Sequence, residues 1–169
     1  MIVWLIGLSG SGKTTIGRAL YARLKPRLSN LVFVDGDEFR EIMGSDLGHT
    51  QQDRQRNAYR FSHFCRFLDS SGLHAICAVL SNFPEWQRWN RANFSAYYEI
   101  FVDASFETVL QRDAKGIYRP ALAGHASNVV GVDIEFLPPR LADLVVQNNG
   151  NASIDDIVGH IIENLPQFD

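Results

Sequence analysis

Gly7-Leu8-Ser9-Gly10-Ser11-Gly12-Lys13-Thr14 follows the spacing G-x-x-x-x-G-K-[ST] of a phosphate-binding loop. Its three glycines let the backbone wrap a phosphate with N–H groups pointing inward. A helix beginning near Gly12 would add the positive end of its dipole. Lys13 is placed to reach β- and γ-phosphates, and the Thr14 hydroxyl to hold Mg2+. The flanks have the required form. Ile2-Val3-Trp4-Leu5-Ile6 is an apolar run suited to a buried parallel strand. After the loop, Ile16, Ala19, Leu20 and Leu24 recur at helical spacing until Pro26.

Two further segments carry chemistry. Asp35-Gly36-Asp37 ends a second apolar run, Leu31–Val34. Two carboxylates on a tight turn facing a phosphate loop suit proton acceptance from an alcohol and a Mg2+ shell. The same dipeptide also reads as a turn whose Asp caps the next helix. Arg112-Asp113-Ala114-Lys115-Gly116-Ile117-Tyr118-Arg119 sets three cations within eight residues. It reads as a basic lid that closes over a triphosphate and neutralises developing charge, or as a solvated helix end.

These segments need a scaffold that brings them to one edge. Residues 52–70 read as a helix with Ala58, Phe61, Phe64, Cys65 and Leu68 on one face. Leu73–Leu80 reads as a central strand, 84–94 as a helix, Tyr98–Val102 as a fourth strand and Phe106–Arg112 as a helix. Leu144–Val146 is a short fifth strand, and Ile154, Ile157, Val158, Ile161, Ile162 and Leu165 mark a closing amphipathic helix. Strand and helix alternating at this pitch predict an α/β fold: a doubly wound, parallel five-stranded sheet with helices on both faces, one domain over residues 1–169. Ligands in such folds lie beyond the carboxyl ends of the strands, where the loop, Asp35 and Ser81 all fall.

Composition narrows the class. The 169 residues are 46% hydrophobic and 21% charged, with a formal charge of -3, which fits a globular domain and argues against nucleic-acid binding. No basic segment with a long apolar run opens the chain, and no run is long enough to cross a bilayer, so a cytoplasmic protein is expected. Cys65 and Cys77 read as buried thiols, and the five histidines lack the spacing of a zinc site. Trp86 and Trp89, three apart, share one helix face and read as packing against the sheet or a subunit partner; stacking on a bound base, chiefly through Phe83 near the strand end, is the alternative.

The chain resembles the adenylylsulfate (APS) kinase family. The shared pattern runs from Gly7–Thr14 through Asp35-Gly36-Asp37, Arg40, Leu47-Gly48, Asp53-Arg54-x-x-Asn57 and Glu99–Asp103. It continues through Arg112-Asp113-x-Lys115-Gly116-x-Tyr118, Ala121, Gly124 and Gly131-x-Asp133. The resemblance implies a P-loop kinase, usually homodimeric, that moves the γ-phosphate of MgATP to a nucleotide 3′-hydroxyl. The cofactor set it implies is ATP and Mg2+, with Gly7, Leu8, Ser9, Gly10, Ser11, Gly12, Lys13, Thr14, Thr15 and Arg112 on the nucleotide. Thr14 and Asp35 would hold the metal, and Asp35, Lys13, Arg112 and Lys115 would form the catalytic group. The acceptor would be held by Asp37, Arg40, Arg54, Asn57, Leu80, Ser81, Asn82, Lys115, Asn128 and Val129.

The departures from that pattern fall on the acceptor side. The family's Phe-Thr-Gly, whose ring stacks on the adenine of APS, is Val129-Val130-Gly131; its Ile-Ser-Pro is Leu80-Ser81-Asn82; an arginine pair is Tyr59-Arg60; and an Ala-Arg is Ala121-Leu122. A lost ring removes roughly 1–3 kcal/mol of stacking. Asn82 and Asn128 could address a base edge instead. These changes favour a non-APS acceptor such as cytidine diphosphoramidate, used by a capsule-modifying branch of the family. APS, with Tyr59 or Phe83 supplying the ring, is the alternative.

Overall fold

The computed structural model describes residues 1–113 and 115–168; Ala114 of the basic run and the final Asp169 lie outside the described residues. Five strands, β1 (Ile2–Ile6), β2 (Leu31–Asp35), β3 (His74–Val79), β4 (Tyr97–Asp103) and β5 (Leu144–Gln147), form one sheet in the order β2-β3-β1-β4-β5. Every pairing is parallel, with Ile2 opposite Ala75 on one side and Tyr97 on the other. The doubly wound α/β expectation therefore holds. β1 is central and wholly buried, which is why it reads as an unbroken apolar run rather than an alternation.

Alternate residues of the central strands supply two cores. Val3, Leu5, Ile76, Ile100 and Val102 meet Ile16 and Leu20 of α1 (Lys13–Leu24) and Ile157, Val158 and Ile161 of α7 (Ile154–Asn164). On the other face Ile2, Trp4, Ile6, Ala75 and Cys77 meet Phe39 of α2 (Gly36–Ile42) and Phe61, Cys65 and Leu68 of α3 (Gln51–Ser70). α4 (Pro84–Asn93) packs beside α3 and starts with Pro at its first turn, where no N–H is missed. A third cluster joins Leu8, Val109, Tyr118, Val129 and Val130 at the carboxyl edge of the sheet. It ties the phosphate loop to α5 (Phe106–Arg112) and α6 (Tyr118–Leu122).

Side-chain caps fix where several helices begin. Thr50, Ser105 and Ser153 each accept an N–H from the first turn of α3, α5 and α7, and Ser153 with Asp156 forms a capping box. Cys65 and Cys77 are buried free thiols with sulfurs 3.6 Å apart, as the sequence suggested, and burial pushes the Cys65 thiol up. α2 begins within the Asp35-Gly36-Asp37 turn with Asp35 as its cap, as the alternative reading of that turn had it, whereas α6, which contains Pro120, escaped sequence reading. Gly12 precedes α1 as its cap in the left-handed region rather than starting the helix.

Candidate active site

The phosphate loop leaves β1 through Gly7, where a Cβ would stand 2.5 Å from the Val102 carbonyl oxygen and 2.6 Å from Ser11 Oγ. Gly12 has φ +99°, and a Cβ there would meet Asn148 Nδ2 at 2.3 Å. Both positions require glycine, one for close backbone approach and one for conformation as well. Asn148, buried just past β5, donates from Nδ2 to the Ser11 carbonyl at 2.7 Å. The Tyr118 hydroxyl donates to the Ser9 carbonyl at 2.9 Å. The loop is thus braced from both sides.

Lys13 Nζ donates to the Leu8 carbonyl at 2.7 Å, curled onto its own loop. Burial, and then the charge of Lys115, push its pKa down to about 8, against the pull of Asp37 and Asp35. A lysine so placed gains from any anion that enters.

Asp35 ends β2 facing this loop. Its Oδ2 accepts from Thr14 Oγ1 at 2.6 Å, and its Oδ1 accepts from the Asp37 N–H at 2.9 Å. The two readings of the Asp-Gly turn therefore hold together: one carboxylate caps α2 and addresses Thr14. Asp37 pairs with Lys115 across the cleft. Arg112 Nη1 approaches the Gly10 carbonyl at 3.4 Å. The Asp113 carboxylate gathers the N–H groups of Ile117, Tyr118 and Arg119 at 2.9–3.3 Å, which fixes the turn into α6. Arg119 departs from the three-cation lid. It is exposed beside Leu110, Gln111 and Leu122, because α6 turns it away from the cleft that Arg112 and Lys115 line.

These groups border one cleft of about 860 Å³. Ser9, Gly10, Gly12, Lys13, Thr14, Thr15 and Arg112 line its phosphate end, whereas Gly7, Leu8 and Ser11 sit behind it as loop framework. Asp37, Arg40, Arg54, Asn57, Leu80, Ser81, Asn82, Asn128 and Val129 line the remainder. Arg40 Nη1 donates to the Leu47 and Gly48 carbonyls, both at 3.0 Å. Arg54 donates from Nη2 to the Asn128 carbonyl at 2.7 Å and from Nε to the His49 carbonyl at 2.8 Å. Burial first, and then the Arg40 charge, lower the Arg54 pKa, so two guanidinium groups converge on one anion-ready wall.

The polar wall differs in detail from the sequence reading. The Asn82 amide is committed: Nδ2 donates to the Glu135 carbonyl at 2.8 Å and Oδ1 accepts from the Leu137 N–H at 2.7 Å. Its head holds the 135–137 segment rather than a base edge. Asn128 Nδ2 reaches only its neighbour Ser127 Oγ at 3.2 Å, while Asp133 accepts the Asn128 and Val129 N–H groups at 2.6 Å each. Ser81 has φ +22°, a strand-end turn, and its carbonyl accepts from Gln87 Nε2 at 3.2 Å.

Trp86 and Trp89 pack edge to face, centroids 5.8 Å apart, but the aromatic residues differ in what else they meet. Tyr59 packs on His63 with centroids 4.0 Å apart and rings tilted by 30°, half exposed and off the cleft, so it does not replace the lost ring. Trp86 and Phe83 line the cleft, while Trp89 packs on Phe94 and His63. His49, which sequence reading passed over, also lines it. Burial and the charges of Arg54 and Arg40 lower its pKa, so the ring is neutral at pH 7. Asn148 was missed too; its position immediately after a strand, at the ligand-binding edge, was the available signal.

Comparison with known proteins places the chain in a family. The family described as Adenylylsulphate kinase matches residues 1–147. The chain is 45% identical to the cytidine diphosphoramidate kinase of Campylobacter jejuni over 167 residues, covering 97% of this chain and 95% of the relative. It is 34% identical to the adenylyl-sulfate kinase of Paraburkholderia xenovorans, covering 95% and 92%. The Mycobacterium tuberculosis APS kinase, solved in complex with AMPPNP and APS, superposes with a TM-score of 0.87 at 29% identity, covering 96% of this chain and 95% of that one.

Proposed function

The chain belongs to the adenylylsulphate kinase family of phosphotransferases, and from that premise we propose that it moves the γ-phosphate of ATP to the ribose 3′-hydroxyl of cytidine diphosphoramidate or a closely similar nucleotide conjugate. The observation that carries the acceptor choice is Val129. It is buried in the cleft wall where the family pattern has a stacking ring, and it offers a short aliphatic surface. The 45% identity to a cytidine diphosphoramidate kinase, against 34% to an APS kinase, points the same way.

In this reading Lys13 leaves the Leu8 carbonyl for the β/γ-phosphate oxygens, and Arg112 and Lys115 close over them. Asp35 accepts the proton of the 3′-hydroxyl as it attacks. Arg40 and Arg54 fork onto the acceptor diphosphate, and Asn57, Asn128 and Val129 frame its nucleoside. Asp37 holds Lys115 across the cleft until substrates enter. Thr14 Oγ1 and Asp35 Oδ2, hard oxygens 2.6 Å apart, fit Mg2+. Among the described residues no group of three His, Cys, Asp or Glu could cage a metal, in keeping with an ion that keeps waters and phosphate oxygens. Mg2+ would neutralise phosphate charge.

The alternative acceptor, APS, is favoured by one observation: Phe83 and Trp86 line the cleft and supply rings for an adenine. Incubation with MgATP and each conjugate, followed by ADP release and phosphorus NMR of the product, tests the proposal. A new 3′-phosphate on cytidine diphosphoramidate is expected. Transfer to APS alone, or to no nucleotide conjugate, would refute it.

A further inference from the structure

Among the described residues, three that line the cleft each carry a polar atom that is buried from water and has no hydrogen-bond partner: Trp4 Nε1, Ser62 Oγ and Trp86 Nε1. Ser62 is fully buried and Trp4 is 3% exposed. They come from different elements. Trp4 lies on β1 and packs edge-on against Phe61 of α3, with centroids 5.2 Å apart. Ser62 follows Phe61 on α3, one turn after Ala58, which also lines the cleft. Trp86, on α4, packs edge-on against Tyr59 of α3 with centroids 5.4 Å apart. Buried donors without acceptors are costly in a native structure and call for an explanation.

We propose that Trp4, Ser62 and Trp86 form a recess that reads the carbonyl edge of the acceptor's base, and so set specificity for a 2-oxopyrimidine nucleotide. This rests on the nucleotide-acceptor reading above and deepens it. An indole N–H only donates, and a serine hydroxyl donates or accepts. A wall with two donor-only groups selects an acceptor atom. A carbonyl oxygen has two lone pairs, enough for both indoles, and it projects beyond the ring. Adenine has no carbonyl: its ring nitrogens N1, N3 and N7 each accept a single N–H, so no one adenine atom serves both indoles, and its exocyclic amino group would set donor against donor. Ala58 contributes a methyl where a longer side chain would fill the space. Trp86 is only part-buried as a residue, and its rotation admits the base edge.

The chain has three tryptophans, which makes the recess directly observable. Indole N–H resonances of 15N-labelled protein, assigned by single Trp→Phe variants, are followed with the donor site saturated by ADP and Mg2+. Cytidine 5′-diphosphate should move the Trp4 and Trp86 signals downfield, further than that of Trp89, which packs against Trp86 with centroids 5.8 Å apart; APS should move none of the three downfield. Ser62→Ala and Trp86→Phe should each raise KM for cytidine diphosphoramidate about tenfold, with kcat and the KM for ATP unchanged. Cytidine 5′-diphosphate that leaves the Trp4 and Trp86 signals still, as trapped water in the recess would predict, overturns the proposal. So does an equal response to APS, or variants with wild-type KM. Signals that move without phosphoryl transfer refute the kinase acceptor reading alone. Transfer to cytidine diphosphoramidate without moving signals refutes the recess alone.

Discussion

On the proposed mechanism two residues decide whether the cleft transfers phosphate. Lys13→Ala removes the cation proposed to move from the Leu8 carbonyl to the β/γ-phosphates and should lower kcat by on the order of 10³-fold or more with the fold retained. Steady-state turnover and circular dichroism read the two separately, and wild-type turnover would remove Lys13 from the mechanism. Asp35→Asn keeps the shape but has one oxygen for the two N–H and O–H groups that Asp35 now accepts. A fall of roughly 10²–10⁴ in kcat is expected, with KM for ATP changed far less. The pH dependence of Lys13 has a defined sign. Its pKa in the free protein is about 8 against an ordinary 10.5, so between those values the unfolded chain binds more protons than the native one. This group's contribution to stability therefore rises with pH across that window and is flat below it. Triphosphate binding favours the charged form, so MgATP affinity should weaken as pH rises above about 8. Calorimetric titration with proton uptake checks this, and Lys13→Met should flatten the profile.

At the scale of elements, the loop depends on β5 and on the lid. Asn148→Ala deletes the buried bond to Ser11, at a cost of about 1–3 kcal/mol, and should raise KM for ATP, since the loop loses its brace; denaturant unfolding and kinetics measure both. The basic segment proposed as a lid is docked by Lys115 to Asp37 and by Tyr118 to Ser9. Hydrogen exchange across residues 112–125 should slow when nucleotide and acceptor bind together; exchange indifferent to both would leave the segment a static wall. Sequence periodicity located β1, α3 and α7 closely, because each buries an apolar stripe or run. α2 was legible only as the helix that Asp35 caps, and α6, five residues with a proline, carries no periodic signal. The commitment of Asn82 and the outward course of Arg119 were illegible for a different reason. They depend on a distant segment and on a helix phase that spacing alone does not set.

At the scale of the whole molecule, the parallel sheet carries the loop, Asp35 and Ser81 to a single edge, and a cleft of about 860 Å³ joins them. No helix among the described residues is long and apolar enough to cross a membrane. The family pattern leads us to propose a homodimer, for which sedimentation equilibrium should give twice the 19.0 kDa chain mass. The cleft's phosphate end follows the family pattern, and its acceptor end departs at Val129, so the central claim concerns which nucleotide fits. The most direct measurement is the ratio of kcat/KM for cytidine diphosphoramidate and for APS, in the wild type and in Val129→Phe. The wild type should prefer the cytidine conjugate, and Val129→Phe should shift the ratio toward APS by about 1–3 kcal/mol, the worth of one stacked base. Efficient wild-type use of APS, with no transfer to the cytidine conjugate, would contradict the account.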